Sequence, residues 1–231
     1  MKTIGLIGGT SWHSTIEYYR FINQAVNQHY GDNTNPPLVL YNLNHAKVNQ
    51  HQREDAWHKI AKMIVEGGQR LQAAGAEALA FCANTQHKVY DAVAAQLDTP
   101  IIHIADATAR EIQRQGLTSV CFLGTQFSME EDFVTKRIAD HGIKVLVPRQ
   151  KSTLQELHRI IHRELVYGKI IPESKAYVLN SIRDLTERGA QGVVLGCTEF
   201  PHLVQPEDLP FPVFNTTHIH AQAAVDFILS E

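Results

Sequence analysis

Cysteine is scarce in this sequence. Cys82, Cys121 and Cys197 are the only three in 231 residues, they lie far apart, and no C-x-x-C pair occurs. That spacing argues against a disulfide scaffold and against a thiolate zinc site. There is also no Lys/Arg block, and the net charge is -3, so nothing electrostatic favours nucleic acid or an anionic membrane as partner. No apolar run approaches the roughly 18 residues that suggest a membrane span. Met1-Lys2-Thr3-Ile4-Gly5-Leu6 enters a strand pattern directly, without an apolar leader and cleavage site, so a cytoplasmic, reduced protein is expected. Neither G-x-G-x-x-G nor a P-loop occurs, and His218 and His220 lack an evident third ligand. No cofactor and no metal are therefore expected. What remains is an ordinary globular composition, 44% hydrophobic and 19% charged, long enough for one large α/β domain or two smaller ones. A small metabolite is the partner this composition favours, and a homodimer is left open.

One stretch organises the chain: Gly189-Ala190-Gln191-Gly192-Val193-Val194-Leu195-Gly196-Cys197-Thr198-Glu199-Phe200. Val193, Val194 and Leu195 form a short apolar run bounded by glycines, the pattern of a strand buried in a parallel sheet. Cys197 follows at the strand's carboxyl end, where open α/β sheets place their chemistry. A thiolate there is a good base and nucleophile once its pKa is lowered by helix N-termini or a nearby charge. The competing reading is an inert buried cysteine, and Cys121, inside Val120-Cys121-Phe122-Leu123, takes that reading.

The same stretch has a counterpart earlier. Aligning Gly75-Ala76-Glu77-Ala78-Leu79-Ala80-Phe81-Cys82-Ala83-Asn84-Thr85 on Gly189 onward sets Leu79 on Val193, Ala83 on Cys197, Asn84 on Thr198 and Thr85 on Glu199. Ser119-Val120-Cys121-Phe122-Leu123-Gly124-Thr125 likewise repeats the style of Thr3-Ile4-Gly5-Leu6-Ile7-Gly8-Gly9, and Val213-Phe214-Asn215 echoes Ile101-Ile102-His103. Three strand types thus recur in one order at separations of about 112 to 116 residues, which predicts two similar βα halves rather than a solenoid. The fold class expected is α/β: two pseudo-symmetric α/β domains with mainly parallel sheets flanked by helices and a site in the cleft between them. Their expected bounds are 1–98 plus 212–231, and 99–211.

Between these landmarks, Gly8-Gly9-Thr10-Ser11-Trp12 reads as a strand-to-helix turn whose backbone N–H groups suit a carboxylate, followed by a helix over 14–27 with Ser14 as N-cap. Residues 38–43 read as a strand and 53–74 as a long helix. The polar segment 44–53 between them reads as a loop, with Asn44, His45, Gln52 and Arg53 as candidates for holding substrate; a merely solvated surface is the alternative.

Together these motifs resemble the aspartate/glutamate racemases, which are independent of pyridoxal phosphate. The carrying residues are Gly5-Leu6-Ile7-Gly8-Gly9-Thr10-Ser11-Trp12, Ser14-Thr15, Tyr18-Tyr19, Cys82-Ala83-Asn84-Thr85-Gln86-His87 and His103-Ile104-Ala105-Asp106-Ala107-Thr108. They continue with Leu123-Gly124-Thr125, Glu164-Leu165 with Gly168, Gly196-Cys197-Thr198-Glu199 and His218-Ile219-His220-Ala221. The resemblance implies a pair of cysteines that remove and return the Cα proton of an amino acid, with an amino acid or dicarboxylate as ligand. It implies that Asn84, Thr85, Thr125 and Thr198 hold the substrate's carboxylate and amino groups; Thr10 and Ala83 are further substrate-binding candidates. A distal carboxylate would need a cation, Arg53 first and Lys169 second. Glu199 would orient or receive a proton, or simply favour a helix dipole.

The chain departs from that pattern at one place. The family's first cysteine directly precedes Asn-Thr or Asn-Ser, and here that position is Ala83. Cys82 is one residue earlier, and neighbours in an extended segment point to opposite faces. Cys197 is then the expected base, with Thr85, a water or a displaced Cys82 left to serve the other face. Asn215 also stands where this family often has Asp. Two alternatives follow: a related enzyme performing hydantoin racemisation, maleate isomerisation or malonate decarboxylation, or a weakly catalytic protein that binds a small dicarboxylate.

Overall fold

The computed structural model describes residues 1–231. The chain runs β1 (Ile4–Gly8), α1 (Trp12–Tyr30), β2 (Leu38–Asn42), α2 (His45–Arg53), α3 (Trp57–Ala73), β3 (Ala78–Phe81), α4 (Tyr90–Ala94), β4 (Ile101–Ile102) and α5 (Ile104–Arg114). It continues as β5 (Ser119–Gly124), α6 (Gln126–Glu130), α7 (Asp132–Ala139), β6 (Lys144–Leu146), α8 (Lys151–Arg163), α9 (Pro172–Glu187), β7 (Val193–Gly196), α10 (Phe200–Leu203), β8 (Val213–Asn215) and α11 (Thr216–Leu229). Two compact units result, Met1–Ile104 with Thr217–Glu231, and Ala105–Thr216. The crossings lie later than the expected 98/99 and 211/212, because β4 pairs into the first sheet and β8 into the second.

Each unit has a four-stranded, wholly parallel sheet, in the order β2-β1-β3-β4 in the first and β6-β5-β7-β8 in the second. The two orders are the same, and so is the register. Ile7 pairs with Phe81 as Leu123 pairs with Leu195, and Leu79 pairs with Ile101 as Val193 pairs with Val213. Carried two residues past Phe81 and Leu195, this register makes Cys82 the counterpart of Gly196 and Ala83 the counterpart of Cys197.

The first sheet is covered on both faces, and strand alternation sorts its side chains. Ile7, Leu79 and Phe81 pack with Ile60, Ile64 and Leu71 of α3. Ile4, Leu6, Ala78, Ala80 and Cys82 pack on the other face with Tyr18, Ile22 and Val26 of α1 and Ala221, Ala224 and Ile228 of α11. The spacings 18, 22, 26 and 60, 64, 71 each keep one helical stripe toward the sheet.

Two local expectations are corrected. Segment 44–53 is not a loop: residues 45–53 form α2, with Asn44 as N-cap, its Oδ1 accepting from the Lys47 N–H at 3.2 Å and Val48 buried as its anchor. Helix α1 begins at Trp12 rather than Ser14, with Ser11 at the N-cap. Ser14 and Thr15 are drawn inward instead. Thr15 Oγ1 accepts from the Gly9 N–H at 2.9 Å and donates to Ser11 O at 3.0 Å, which ties down a turn that needs glycine, since Gly9 has φ +79° and a Cβ there would meet Leu43 O at 2.3 Å.

Close packing also specifies Gly196, just before Cys197. A Cβ at this position would lie 2.1 Å from the Phe122 ring, and Phe122 is fully buried. Gly196→Ala should therefore destabilise the protein by about 1–3 kcal/mol, the usual cost of overpacking a filled core. Urea unfolding checks this, and an unchanged midpoint would show that the ring has room to move.

Candidate active site

In the second unit, β5 and β7 occupy the middle of the sheet and pair to their last residues, Gly124 with Gly196. Thr125 and Cys197 therefore leave the sheet side by side. Thr125 turns extended and caps α6, its Oγ1 accepting from the Ser128 N–H at 3.4 Å. Cys197 is 8% exposed, and its thiol donates to Glu199 Oε2 at 2.8 Å. The Thr198 hydroxyl donates to the same oxygen at 2.6 Å.

This geometry corrects the expectation of a depressed thiol pKa. Burial pushes the Cys197 thiol up first, and the Glu199 carboxylate charge and its hydrogen bond push it further; the Thr198 and Glu199 N–H groups at the sulfur pull the other way. The helix that follows, α10, has four residues, too short to offer much of a dipole. At neutral pH the sulfur accordingly keeps its proton, hydrogen-bonded to Glu199 Oε2.

The corresponding end of the first sheet is different. Ala83 is half-buried and carries no acid–base group; Asn84 is buried and Thr85 begins a short 3₁₀ turn, Thr85–Val89. Thr10, at the end of β1, has a buried Oγ1 without a hydrogen-bond partner, and so does Gln86 Oε1, although Gln86 is only 3% exposed. Orphaned buried oxygens are uncommon and cost stability unless something else satisfies them, and a donor-bearing ligand would satisfy these two. Gln86 was not singled out from the sequence; only its burial draws attention to it.

The thiol of Cys82 lies in the core, not at the strand's open end. It is fully buried among Tyr18, Ala80 and α11, and burial alone drives its pKa far up. Cys121 is likewise fully buried, its thiol pushed up to about 12. Of the expected cations, Arg53 is exposed at the end of α2, with Gln52 half-buried beside it. Lys169 is exposed and follows Gly168 at φ +70°, with its N–H on Glu164 O at 3.1 Å. A groove of about 430 Å³ opens next to Thr125, lined by Gln126, Gln155, His158, Arg159, His162 and Arg163. The Gln126 N–H donates to His158 Nδ1 at 3.2 Å, and burial together with the nearby His162 holds the His158 pKa down at about 4. No three His, Cys, Asp or Glu side chains are grouped to hold a metal, and no helix is long and apolar enough to cross a membrane.

The sequence profile described as Asp/Glu/Hydantoin racemase matches residues 7–224. The chain belongs to this family. Among solved structures it is similar to a Yersinia pestis protein described as a candidate Asp/Glu racemase, 41% identical over all of both chains with a TM-score of 0.94. It is similar to an aspartate racemase homologue from Pyrococcus horikoshii OT3, 34% identical over all of both chains with a TM-score of 0.87. Among curated proteins it is similar to the broad specificity amino-acid racemase RacX of Bacillus subtilis (strain 168), 23% identical over 172 residues, 74% of each chain. In this family member the two equivalent strand ends are chemically unequal, Cys197 with a carboxylate partner against Ala83 with none.

The Cys197–Glu199 pair sets the pH dependence of thiol reactivity. Alkylation of Cys197, followed by peptide mass spectrometry, should show a midpoint above the ordinary thiol value of 9.0. Because the carboxylate disfavours the thiolate, Glu199→Gln should lower that midpoint. A midpoint that rises or stays put in the variant would mean that Glu199 does not govern the thiol.

Proposed function

We propose that this protein is a cofactor-independent amino-acid racemase in which Cys197 exchanges the Cα proton and Glu199 governs the thiol's proton. The observation that carries the reading is the Cys197–Glu199 hydrogen bond at the carboxyl end of a central parallel strand. The thiol proton passes to Glu199 Oε2, leaving a thiolate and a carboxylic acid. The thiolate then takes the Cα proton, so the C–H bond breaks as S–H re-forms and its electron pair stays on the Cα carbanion. Return of a proton from sulfur regenerates the amino acid and, through Glu199, the resting pair. Acid–base groups so placed contribute about 10²–10⁴-fold.

Inversion needs a proton delivered to the opposite face of Cα. Ala83 cannot deliver one, and the hydroxyl of Thr85 is far less acidic or basic near neutral pH than a thiol. Exchange at one enantiomer should therefore outpace net racemisation. Acidic amino acids are the proposed substrates, with Arg53 and Lys169 as the cations for a distal carboxylate and Thr10, Asn84, Thr85, Thr125 and Thr198 for the amino and α-carboxylate groups. Relatives named for aspartate support this choice, and the broad specificity of another argues for testing many side chains. A second reading, a dicarboxylate-binding protein without turnover, is favoured by Ala83 alone.

The deciding experiment incubates L- and D-amino acids in D₂O and follows deuterium at Cα and optical inversion together. Cys197→Ala should lose on the order of 10²-fold or more in exchange, Glu199→Gln should slow exchange even as it lowers the thiol's midpoint, and Ala83→Cys should raise inversion relative to exchange. Wild type inverting both enantiomers as fast as it exchanges them would refute the one-thiol mechanism. Binding without any exchange would select the second reading.

A further inference from the structure

The first unit contains buried titratable groups that this chemistry does not use. His87, His103 and His220 are 2%, 4% and 0% exposed, and the His87 ring centroid lies 4.5 Å from that of His103 and 5.7 Å from that of His220. Their partners fix which nitrogens carry protons. The Ile104 N–H, which can only donate, lies 3.3 Å from His87 Nε2, so that nitrogen is an acceptor. The His87 proton is on Nδ1, 3.1 Å from Ala83 O and 3.3 Å from Asn84 O. His220 has the opposite tautomer: Nε2–H donates to Ile102 O at 2.8 Å, and Nδ1 accepts from the Tyr18 hydroxyl at 2.7 Å. Burial, with the neighbouring histidines, holds His87 neutral.

These bonds converge on one turn. Cys82 O accepts from the Ser14 hydroxyl at 2.7 Å, and the next two carbonyls, Ala83 O and Asn84 O, accept from His87. Three consecutive peptide groups are thus held by side chains that are themselves buried. The second unit has no equivalent, because the counterpart of His87 is Pro201 in the register that equates Ala83 with Cys197. Its turn is held by the Cys197 and Thr198 bonds to Glu199 instead. Where the second unit secures its turn with the reacting groups, the first secures it from behind.

We infer that His87 is a positioning residue: its buried imidazole clamps the carbonyls of Ala83 and Asn84 against the Ile104 amide and so holds the turn Ala83-Asn84-Thr85 in the shape that receives substrate. This rests on the proposed function only in taking that turn as a substrate-binding one. The clamp has two ends, and two substitutions separate them. In His87→Asn the side-chain amide N–H falls near the place of Nδ1 and keeps the donor to the carbonyls while losing the acceptor for Ile104. In His87→Gln the amide reaches the place of Nε2 and keeps the acceptor while losing the donor.

The experiment compares both variants with wild type for Cα exchange kinetics, for hydrogen–deuterium exchange of backbone peptides spanning 82–89, and for thermal unfolding. His87→Gln should lose on the order of 10-fold to 100-fold in kcat/KM, the scale of a misplaced reacting geometry, and should lose protection in 82–89. His87→Asn should retain most of both. Equal losses in the two variants, or no loss in His87→Gln, would overturn the inference. Should the protein show no Cα exchange with any amino acid, the proposed function fails while the backbone protection contrast still decides the clamp. Imidazole ¹⁵N NMR of the wild type adds a measurement independent of folding defects: the Nδ1–H tautomer is required at His87, and an Nε2–H tautomer would also overturn the inference.

Discussion

The parallel pairing of β1 with β3 and of β5 with β7 is the constraint from which the rest follows. Both pairs sit at the middle of their sheets, and strands covered on both faces are dry, so a slip of one residue would exchange every buried side chain between faces. In the first sheet such a slip would turn Cys82 away from α1 and α11 and expel Phe81 from its contacts with α3. The register is therefore strongly specified, and it determines which residues correspond at the two strand ends: Cys197 immediately after β7 answers to Ala83, two residues after β3.

What a residue can do at that position depends on its immediate neighbours. Cys197 gains a carboxylate two residues on, which accepts a hydrogen bond from it, and two backbone N–H groups that favour the thiolate. The site thus balances opposing effects on one sulfur: burial, the Glu199 charge and its hydrogen bond keep the proton on, and the two amides favour its removal. At the other strand end two buried oxygens, Thr10 Oγ1 and Gln86 Oε1, have no protein partner, and the turn is anchored by the neutral His87 behind it. One end carries a thiol paired with a carboxylate and the other carries no acid–base side chain in the equivalent place.

Several features were not legible along the chain. Helix α2 was read as a loop because residues 44–53 are polar almost throughout, and a single buried Val48 is too little periodicity to reveal a helix. Ser14 has the look of an N-cap, yet its hydroxyl serves the Cys82 carbonyl, a partner 68 residues away. His87 stood in the sequence only as one residue of a motif, and His220 as half of a His218/His220 pair without a third ligand, since nothing local shows that Ile104 and Ile102 would meet their nitrogens.

By itself the sequence determined the α/β class, the twofold repeat and the alignment of Ala83 with Cys197, because apolar strands with glycine at their ends leave a local, periodic signal. Adjacent alternation also predicted that Cys82 would face away from the position of Ala83. Only the tertiary structure decided the chemical state of the groups. The Cys197 thiol is held up rather than down, Cys82 is lost in the core, and His87 is neutral. Proton affinity is set by burial and by partners brought in from distant segments, and neither burial nor distant partners can be counted along a chain.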